Sequence, residues 1–409
     1  MSTKLKATVI AGSLAILLFT IVGEFVDVRA SSNEGAYRQL SVYSEVLSRI
    51  RLEYVEEPNI AGVTDGALHG LLESLDANSS YLSADEYKHY KATMKTEGKA
   101  DIGASVSKRF GYAAVVAVIP GGPADKAGIE NSDIIESIEG KSTHDMSLAE
   151  IHAVLAGEVG STITVAVVRP RRAEPQKIVI TRDVVAIPPV TDKMLADNVG
   201  YIQVDAFPEG KSQEIAGKIR ELQKQGAKKL VLDLRNSASG VESEGVATAN
   251  LFLDHGTITY LQGQKFPREA FNADPVKDIT KLPVAVLVNR GTAGPAEIVA
   301  AAILENARGD VVGDKTFGDG SVQKLIEMPD NSALILSVAK YYSPAGKAIQ
   351  DAAVTPNVLV SDATDDDGGL PDEDQPAAPD DKKDAKPKNQ TDDQLNKALE
   401  VLKNREAKG

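Results

Sequence analysis

The sequence predicts a multidomain α/β protein with a helical N-terminal region, an inserted β-rich domain carrying two helices, and an α/β core. Three observations carry this expectation. Apolar strand-like runs alternate with helical periodicity through residues 186–360, the pattern of a largely parallel sheet with helices packed on it. Residues 96–185 change to short strands broken by Pro120-Gly121-Gly122-Pro123 and Gly128. Residues 31–95 instead place apolar side chains at steps of three and four.

The totals bound the function. At 409 residues the chain fits two or three domains, and a 42% hydrophobic content supplies real cores. A net charge of -14 argues against nucleic acid or an anionic membrane surface as the main partner. The absence of cysteine excludes disulfides, thiol catalysis and thiolate metal sites, and suits an oxidising compartment. Five scattered histidines lack metal-ligand spacing, so neither metal nor cofactor is expected.

Taken in order, Lys4 and Lys6 precede a largely apolar run from Ala7 to Val22. Its length lies between that of a signal-peptide core and a full membrane span, and Val28-Arg29-Ala30 resembles a cleavage site. Residues 1–30 are therefore a membrane anchor or a cleaved signal. The leading positive charges imply a translocated body, held at the cytoplasmic membrane facing the periplasm or exterior, or released to the periplasm after cleavage. Two helical stripes follow, Leu40, Tyr43, Leu47, Ile50 and Tyr54, then Ala67, Leu68, Leu71, Leu72 and Leu75. Ser83 before Ala84-Asp85-Glu86 is an N-cap for a third helix.

Ala113 to Ile119 reads as a strand, Ala124 to Ala127 as a single helical turn, and Asp133 to Ile138 as a second strand. Ser147 caps a helix, and Thr162 to Val168 is a further strand. This order, with Gly121-Gly122-Pro123-Ala124-Asp125-Lys126-Ala127-Gly128-Ile129 and Asp133-Ile134-Ile135, resembles a PDZ domain. Such a domain adds a peptide strand beside a helix and receives the peptide carboxylate on backbone N–H groups. The resemblance places that carboxylate loop at Asp101, Ile102, Gly103 and Ala104, with Val106 along the strand and Leu148, Ile151 and Leu155 as the facing wall.

In the core, Val199 to Val204, Lys229 to Leu234 and Pro283 to Val288 read as buried strands. Helices are expected around Ile215 to Leu222, over Val246 to Phe252, and from Pro295. Loops Asn236 to Gly240 and Asn289 to Gly294 follow strand ends, where catalytic groups of such sheets collect. Residues 361–391 collapse to Asp, Pro, Ala, Lys and Gly, the composition of a disordered acidic linker. Residues 392–409 recover helical spacing at Leu395, Ala398, Leu399 and Leu402.

From Tyr37 to Val360 the order resembles the carboxy-terminal processing peptidases, also called tail-specific proteases. The marks are Ser74-Leu75-Asp76 with Ser79-Ser80-Tyr81-Leu82, Leu232-Asp233-Leu234-Arg235-Asn236, Thr316-Phe317-Gly318, and Ala339-Lys340-Tyr341-Tyr342-Ser343-Pro344. The resemblance implies a serine nucleophile activated by a neutral lysine, and self-association through the terminal helical regions. The residues depart from it. The nucleophile position in Thr292-Ala293-Gly294-Pro295-Ala296-Glu297 is Gly294, and the lysine position in Phe317-Gly318-Asp319-Gly320 is Asp319. Gln323 keeps the glutamine that supports the lysine, while the oxyanion-side loop reads Asn236-Ser237-Ala238-Ser239-Gly240, so Ser239 and Gly240 stand at its donor end.

A glycine cannot form an acyl-enzyme, and Lys315, Ser321, Thr292 and Ser239 are the nearby substitutes. Asp319 could activate a water only beside a second carboxylate, which the sequence does not fix. The expectation is a bacterial, membrane-held member that has lost catalysis. It would bind protein or peptide C-termini through its PDZ groove as an adaptor, a decoy or an inactive subunit beside an active relative. The alternative is an active serine-type endopeptidase with a rearranged site.

Overall fold

The computed structural model describes residues 37–95, 100–169, 174–361 and 392–406. The expected signal or anchor and nearly all of the expected linker lie outside the described residues. Among the described residues no helix is long and apolar enough to cross a membrane. Among the described residues, those up to Leu68 form one compact unit and those from His69 a second.

Helix α1 covers 37–53 and α2 covers Ile60–Glu73. On α1, Arg49 pairs with Glu45 and Glu53 one turn away on either side, at 2.9 and 2.6 Å. Strand β1 (Ser80–Leu82) and helix α3 (Ala84–Lys95) follow. Ser83 and Glu86 cap α3 as the sequence indicates, with the Ser83 N–H and hydroxyl both donating to the Glu86 carboxylate at 2.8 Å.

The inserted domain comprises β2 (Ala104–Arg109), β3 (Tyr112–Val118), α4 (Pro123–Lys126), β4 (Ile134–Ile138), β5 (Lys141–Ser142), α5 (Leu148–Leu155), β6 (Thr162–Val168) and β7 (Gln176–Thr181). The sheet runs β2-β3-β4-β6-β7, with β5 paired to β4. Ser147 opens α5 with a reciprocal capping box, donating its N–H to Glu150 at 2.8 Å and accepting the Glu150 N–H at 3.2 Å. Ile102, Val115, Ile135, Ile151, Leu155 and Val165 build one core between sheet and helices.

The α/β core begins with β8 (Thr191–Leu195), β9 (Val199–Gln203), α6 (Lys211–Lys224), β10 (Lys229–Asp233) and α7 (Glu242–Asn250). It continues through β11 (Thr257–Gln262), β12 (Glu269–Asn272), β13 (Val284–Val288), α8 (Pro295–Glu305) and β14 (Asp310–Gly313). The last elements are β15 (Ser321–Glu327), β16 (Ala333–Tyr342), α9 (Ile349–Ala352), β17 (Val358–Leu359) and α10 (Asp393–Glu406). One sheet has the order β17-β14-β13-β10-β9-β8, parallel except for β8 at its edge. A second is built around β16, which pairs with β1, β11 and β15.

Both faces of the parallel sheet are covered, which is why its strands read as continuous apolar runs. Alternate residues turn to opposite faces. Ile202, Leu230, Leu232 and Val286 meet Ile215, Ile219 and Leu222 of α6 and Val299 and Ile303 of α8. Tyr201, Val231, Ala285 and Leu287 meet Ala398 and Leu402 of α10. The C-terminal helix thus closes the second face.

A charge tether fixes that closure. Arg235 donates to both oxygens of Asp233, which is buried at the end of β10, and to both oxygens of Asp392 at 2.9 and 2.8 Å. Asp392 in turn accepts the Leu395 N–H at 2.9 Å, capping α10. Although partly withdrawn from water, the Asp392 carboxyl is held below the usual range by Arg235. Arg235→Ala leaves Asp233 buried without its partner and should cost about 3 kcal/mol in urea unfolding. Asp392→Asn keeps the cap but weakens the partly exposed ion pair, and should cost at most about 1 kcal/mol at neutral pH. Because the folded carboxyl titrates low, that difference should fade as pH falls through its lowered pKa.

Candidate active-site cleft and peptide groove

The cleft is built on the turn after β13. The Asn289 side chain accepts the N–H groups of Asn236 and Gly291, both at 3.0 Å, and donates to the Asn236 side-chain oxygen at 2.8 Å. Thr292 donates its hydroxyl to the Leu234 carbonyl at 2.8 Å and accepts the Asn289 N–H at 3.0 Å. The loops after β10 and β13 are therefore one hydrogen-bonded body. Gly294 closes the turn at φ 57°, ψ −121° and is the residue from which α8 starts. A Cβ built on it meets nothing within 4 Å, so the position faces open space.

Glu297, one turn into α8, is completely buried and holds this turn to the loop before β15. One carboxylate oxygen accepts the Gly294 N–H at 3.1 Å and the Asp319 N–H at 2.8 Å. The other accepts the Gly318 N–H at 2.8 Å and the Thr316 hydroxyl. Burial pushes the Glu297 carboxyl up to about 8, against donors that favour its ionised form. Phe317 adds an N–H bond to the Thr292 carbonyl at 2.9 Å. Residues 294 and 319 are thereby placed on one carboxylate.

Asp319 opens into a cavity of about 60 Å³ between the inserted domain and the core, walled by Asn78, Val106, Leu148, His152, Ala238 and Ala293. Desolvation within the cleft pushes the Asp319 carboxyl up, while Asn78 and His152 act in the opposite sense, although the residue keeps an exposed surface. Glu242, at the start of α7, is also raised, first by burial and then by the charge of Asp319. The recess is anionic where the resemblance calls for a lysine. Asn78 is set there by Asp76, whose carboxylate accepts the N–H groups of Asn78 and Ser79 at 2.9 and 2.8 Å and the Ser337 hydroxyl of β16 at 3.1 Å.

Gln323 is exposed on β15 and donates to the Ser321 hydroxyl at 2.7 Å. Ser321 also accepts from Asn78 at 2.9 Å. Ser239 accepts the Phe207 N–H on its carbonyl at 2.7 Å. Gly240 sits at φ 134°, where a Cβ would lie 2.2 Å from the Phe207 carbonyl oxygen, so only glycine fits.

In the inserted domain β2 is the outer strand and α5 faces it. Ser105 donates to the Ala238 carbonyl at 3.3 Å, tying β2 to the core loop. Val106 and Leu148 line the cavity. Ile151 does not: it is completely buried in the domain's own core, and the wall position belongs to His152. The reason is helical phase, since a residue four positions after Leu148 returns to its face more closely than one three positions after. The His152 Nε2 bonds the Val106 carbonyl at 2.9 Å across the groove. Ile102 and Leu155 are likewise in the domain core. Asp101 bends back over its own loop, its carboxylate accepting the Ile102 N–H at 2.5 Å and the Gly103 N–H at 3.2 Å.

Sequence reasoning missed Glu297, His152, Asn78 and Glu242. Glu297 was legible as an acid three residues past the start of a helix, and His152 as the return of Leu148. Nothing local marks Asn78 or Glu242.

Comparison with known proteins accords with this architecture. The description Peptidase family S41 matches residues 198–360, and a PDZ domain matches residues 115–169. The carboxy-terminal processing protease CtpA of Bacillus subtilis is 31% identical over 87% of this chain and 75% of its own. This chain belongs to the carboxy-terminal processing protease family. A carboxyl-terminal-processing protease of Picosynechococcus is 35% identical over 72% of each chain. Among solved structures, the photosystem II D1 C-terminal processing protease aligns with a TM-score of 0.65 at 28% identity, covering 77% of this chain and 86% of that one. Peptidase-family and PDZ elements thus meet at the cavity that holds Asp319.

Two substitutions test the geometry of the turn. Gly294→Ala adds a side chain into open space at a positive φ and should cost only about 2 kcal/mol. Gly240→Ala forces a clash with Phe207 and should cost more than about 4 kcal/mol, both read by chemical denaturation.

Proposed function

We propose that this family member has lost peptide-bond hydrolysis and works by binding. Held at the outer face of the cytoplasmic membrane of a bacterium, it captures peptide segments through its PDZ groove. It would act as an adaptor, a decoy, or an inactive subunit beside an active relative. The observation that carries the reading is Gly294: the position raised at the start of α8 has the backbone bend of a nucleophile turn and no side chain. The lysine position supports it, since Asp319 is an acid in an anionic recess and cannot serve as a neutral amine. The neighbouring hydroxyls support it too. Thr292 is buried and bonded to Leu234 and Asn289, and Ser321 receives two side-chain amides.

The test is hydrolysis of an unstructured protein with an apolar C-terminus, comparing the wild type with Gly294→Ser/Asp319→Lys. The wild type should match a heat-denatured control, and the double variant should exceed it by at least about a hundredfold, the scale on which catalytic groups act. Cleavage by the wild type well above the control would sink the reading and point to Ser239 or Ser321.

A further inference from the structure

The groove's ligand class can be read from what already occupies it. A PDZ groove offers two sets of polar groups to a peptide, the amides of the loop before the outer strand and the open edge of that strand. Every other backbone group of this loop given a partner is tied down within the domain. The Asp101 N–H donates to the Asp183 carbonyl at 3.0 Å, and the Asp101 carbonyl accepts from Asp183 at 3.3 Å. The carbonyls of Ile102 and Gly103 accept the N–H groups of Ala124 and Ile119 at 2.7 and 2.9 Å. Gly103 lies at φ 73°, a left-handed turn that aims successive N–H groups into one concavity suited to an anion.

The anion is already present. The Asp101 carboxylate accepts both loop N–H groups, from Ile102 at 2.5 Å and from Gly103 at 3.2 Å. On the strand edge, His152 donates from Nε2 to the Val106 carbonyl at 2.9 Å. Two side chains from different elements therefore occupy the two kinds of contact that a peptide C-terminus would make.

We infer that Asp101 is a built-in substitute for a peptide carboxylate, so that the groove selects apolar strands that lack a free C-terminal carboxylate there, namely internal segments. This rests on the peptide-binding reading of the groove and changes which peptides it takes. The sequence expectation of an open carboxylate loop at Asp101 to Ala104 is altered by the side chain of its own first residue. A free C-terminus entering the loop must displace a tethered carboxylate, and until it does so it faces a like charge. An internal strand meets neither cost at the loop. It must replace His152 at the Val106 carbonyl and loosen the Ser105 bond to Ala238.

The experiment uses the full chain and a fluorescein-labelled apolar peptide ending in valine, prepared as the free acid and as the C-terminal amide. Binding is followed by fluorescence anisotropy, and thermal melting checks that each variant folds. Wild type should bind the two forms within about twofold of each other. Asp101→Ala should favour the free acid by at least about tenfold, the ratio given by 1.4 kcal/mol of charge-assisted bonding. Asp101→Asn, which can keep the turn without the charge, should lie between them and serves if the alanine variant does not fold. His152→Ala should raise both affinities alike.

A wild type that prefers the free acid tenfold would overturn the assignment and leave the peptide-binding reading standing. Binding of neither form by wild type, Asp101→Ala or His152→Ala would overturn both. A loss confined to the free acid in His152→Ala would place the ligand carboxylate beside His152 and overturn the role of Asp101.

Discussion

The buried carboxylate of Glu297 is the constraint on which the cleft depends. An acid deep in a protein is unfavourable unless donors surround it, and here three backbone N–H groups and a hydroxyl converge on it. Those donors come from two places far apart in the chain, the turn at Gly294 and the loop from Thr316 to Asp319. Satisfying one buried carboxyl group thus fixes the relative placement of residues 294 and 319. The loop after β10 is drawn in by Asn289 and Thr292, and β1 brings Asn78 through Asp76. None of these contacts needs a reactive side chain at 294 or 319, so the scaffold persists with glycine and aspartate in their places.

The charge of the recess follows from the same arrangement. Burial raises the proton affinity of both Asp319 and Glu242, the charge of Asp319 raises that of Glu242 further, and the cavity favours neutral or cationic neighbours. The inserted domain presents Val106, Leu148 and His152 to this cavity. The groove residues and Asp319 therefore line one cavity. That contiguity suits a protein that holds peptides without cutting them.

Much of the fold was legible because its strongest signals are local. Strands β9, β10 and β13 are buried on both faces and read as unbroken apolar runs; Pro295 and Ser147 mark helix starts by their own chemistry. Strands β8, β11 and β12 escaped because they are short or edge strands with mixed composition, stabilised by partners distant in sequence. Helix α7 begins earlier than its apolar residues indicate, at Glu242, since its first turn carries acids, of which Glu244 accepts the N–H groups of Gly210 and Ser212 at the start of α6. In the groove, hydrophobicity favoured Ile151 where helical phase puts His152. Asp101 was placed in the right loop, but its bend back onto two amides is a side-chain choice that no spacing encodes. Glu297 shows the same limit: its helix position was readable, while its role depends on a loop some twenty residues away in the chain.

The central claim is that the chemical geometry survives without its chemical groups. A crystal structure of Gly294→Ser/Asp319→Lys tests it most directly. The account predicts that the introduced hydroxyl and amine approach within about 3.2 Å, the range of a nucleophile and its base. Glu297 should still accept the N–H groups of residues 294, 318 and 319. Side chains pointing apart, or a loop at 316–320 that has left Glu297, would contradict the account.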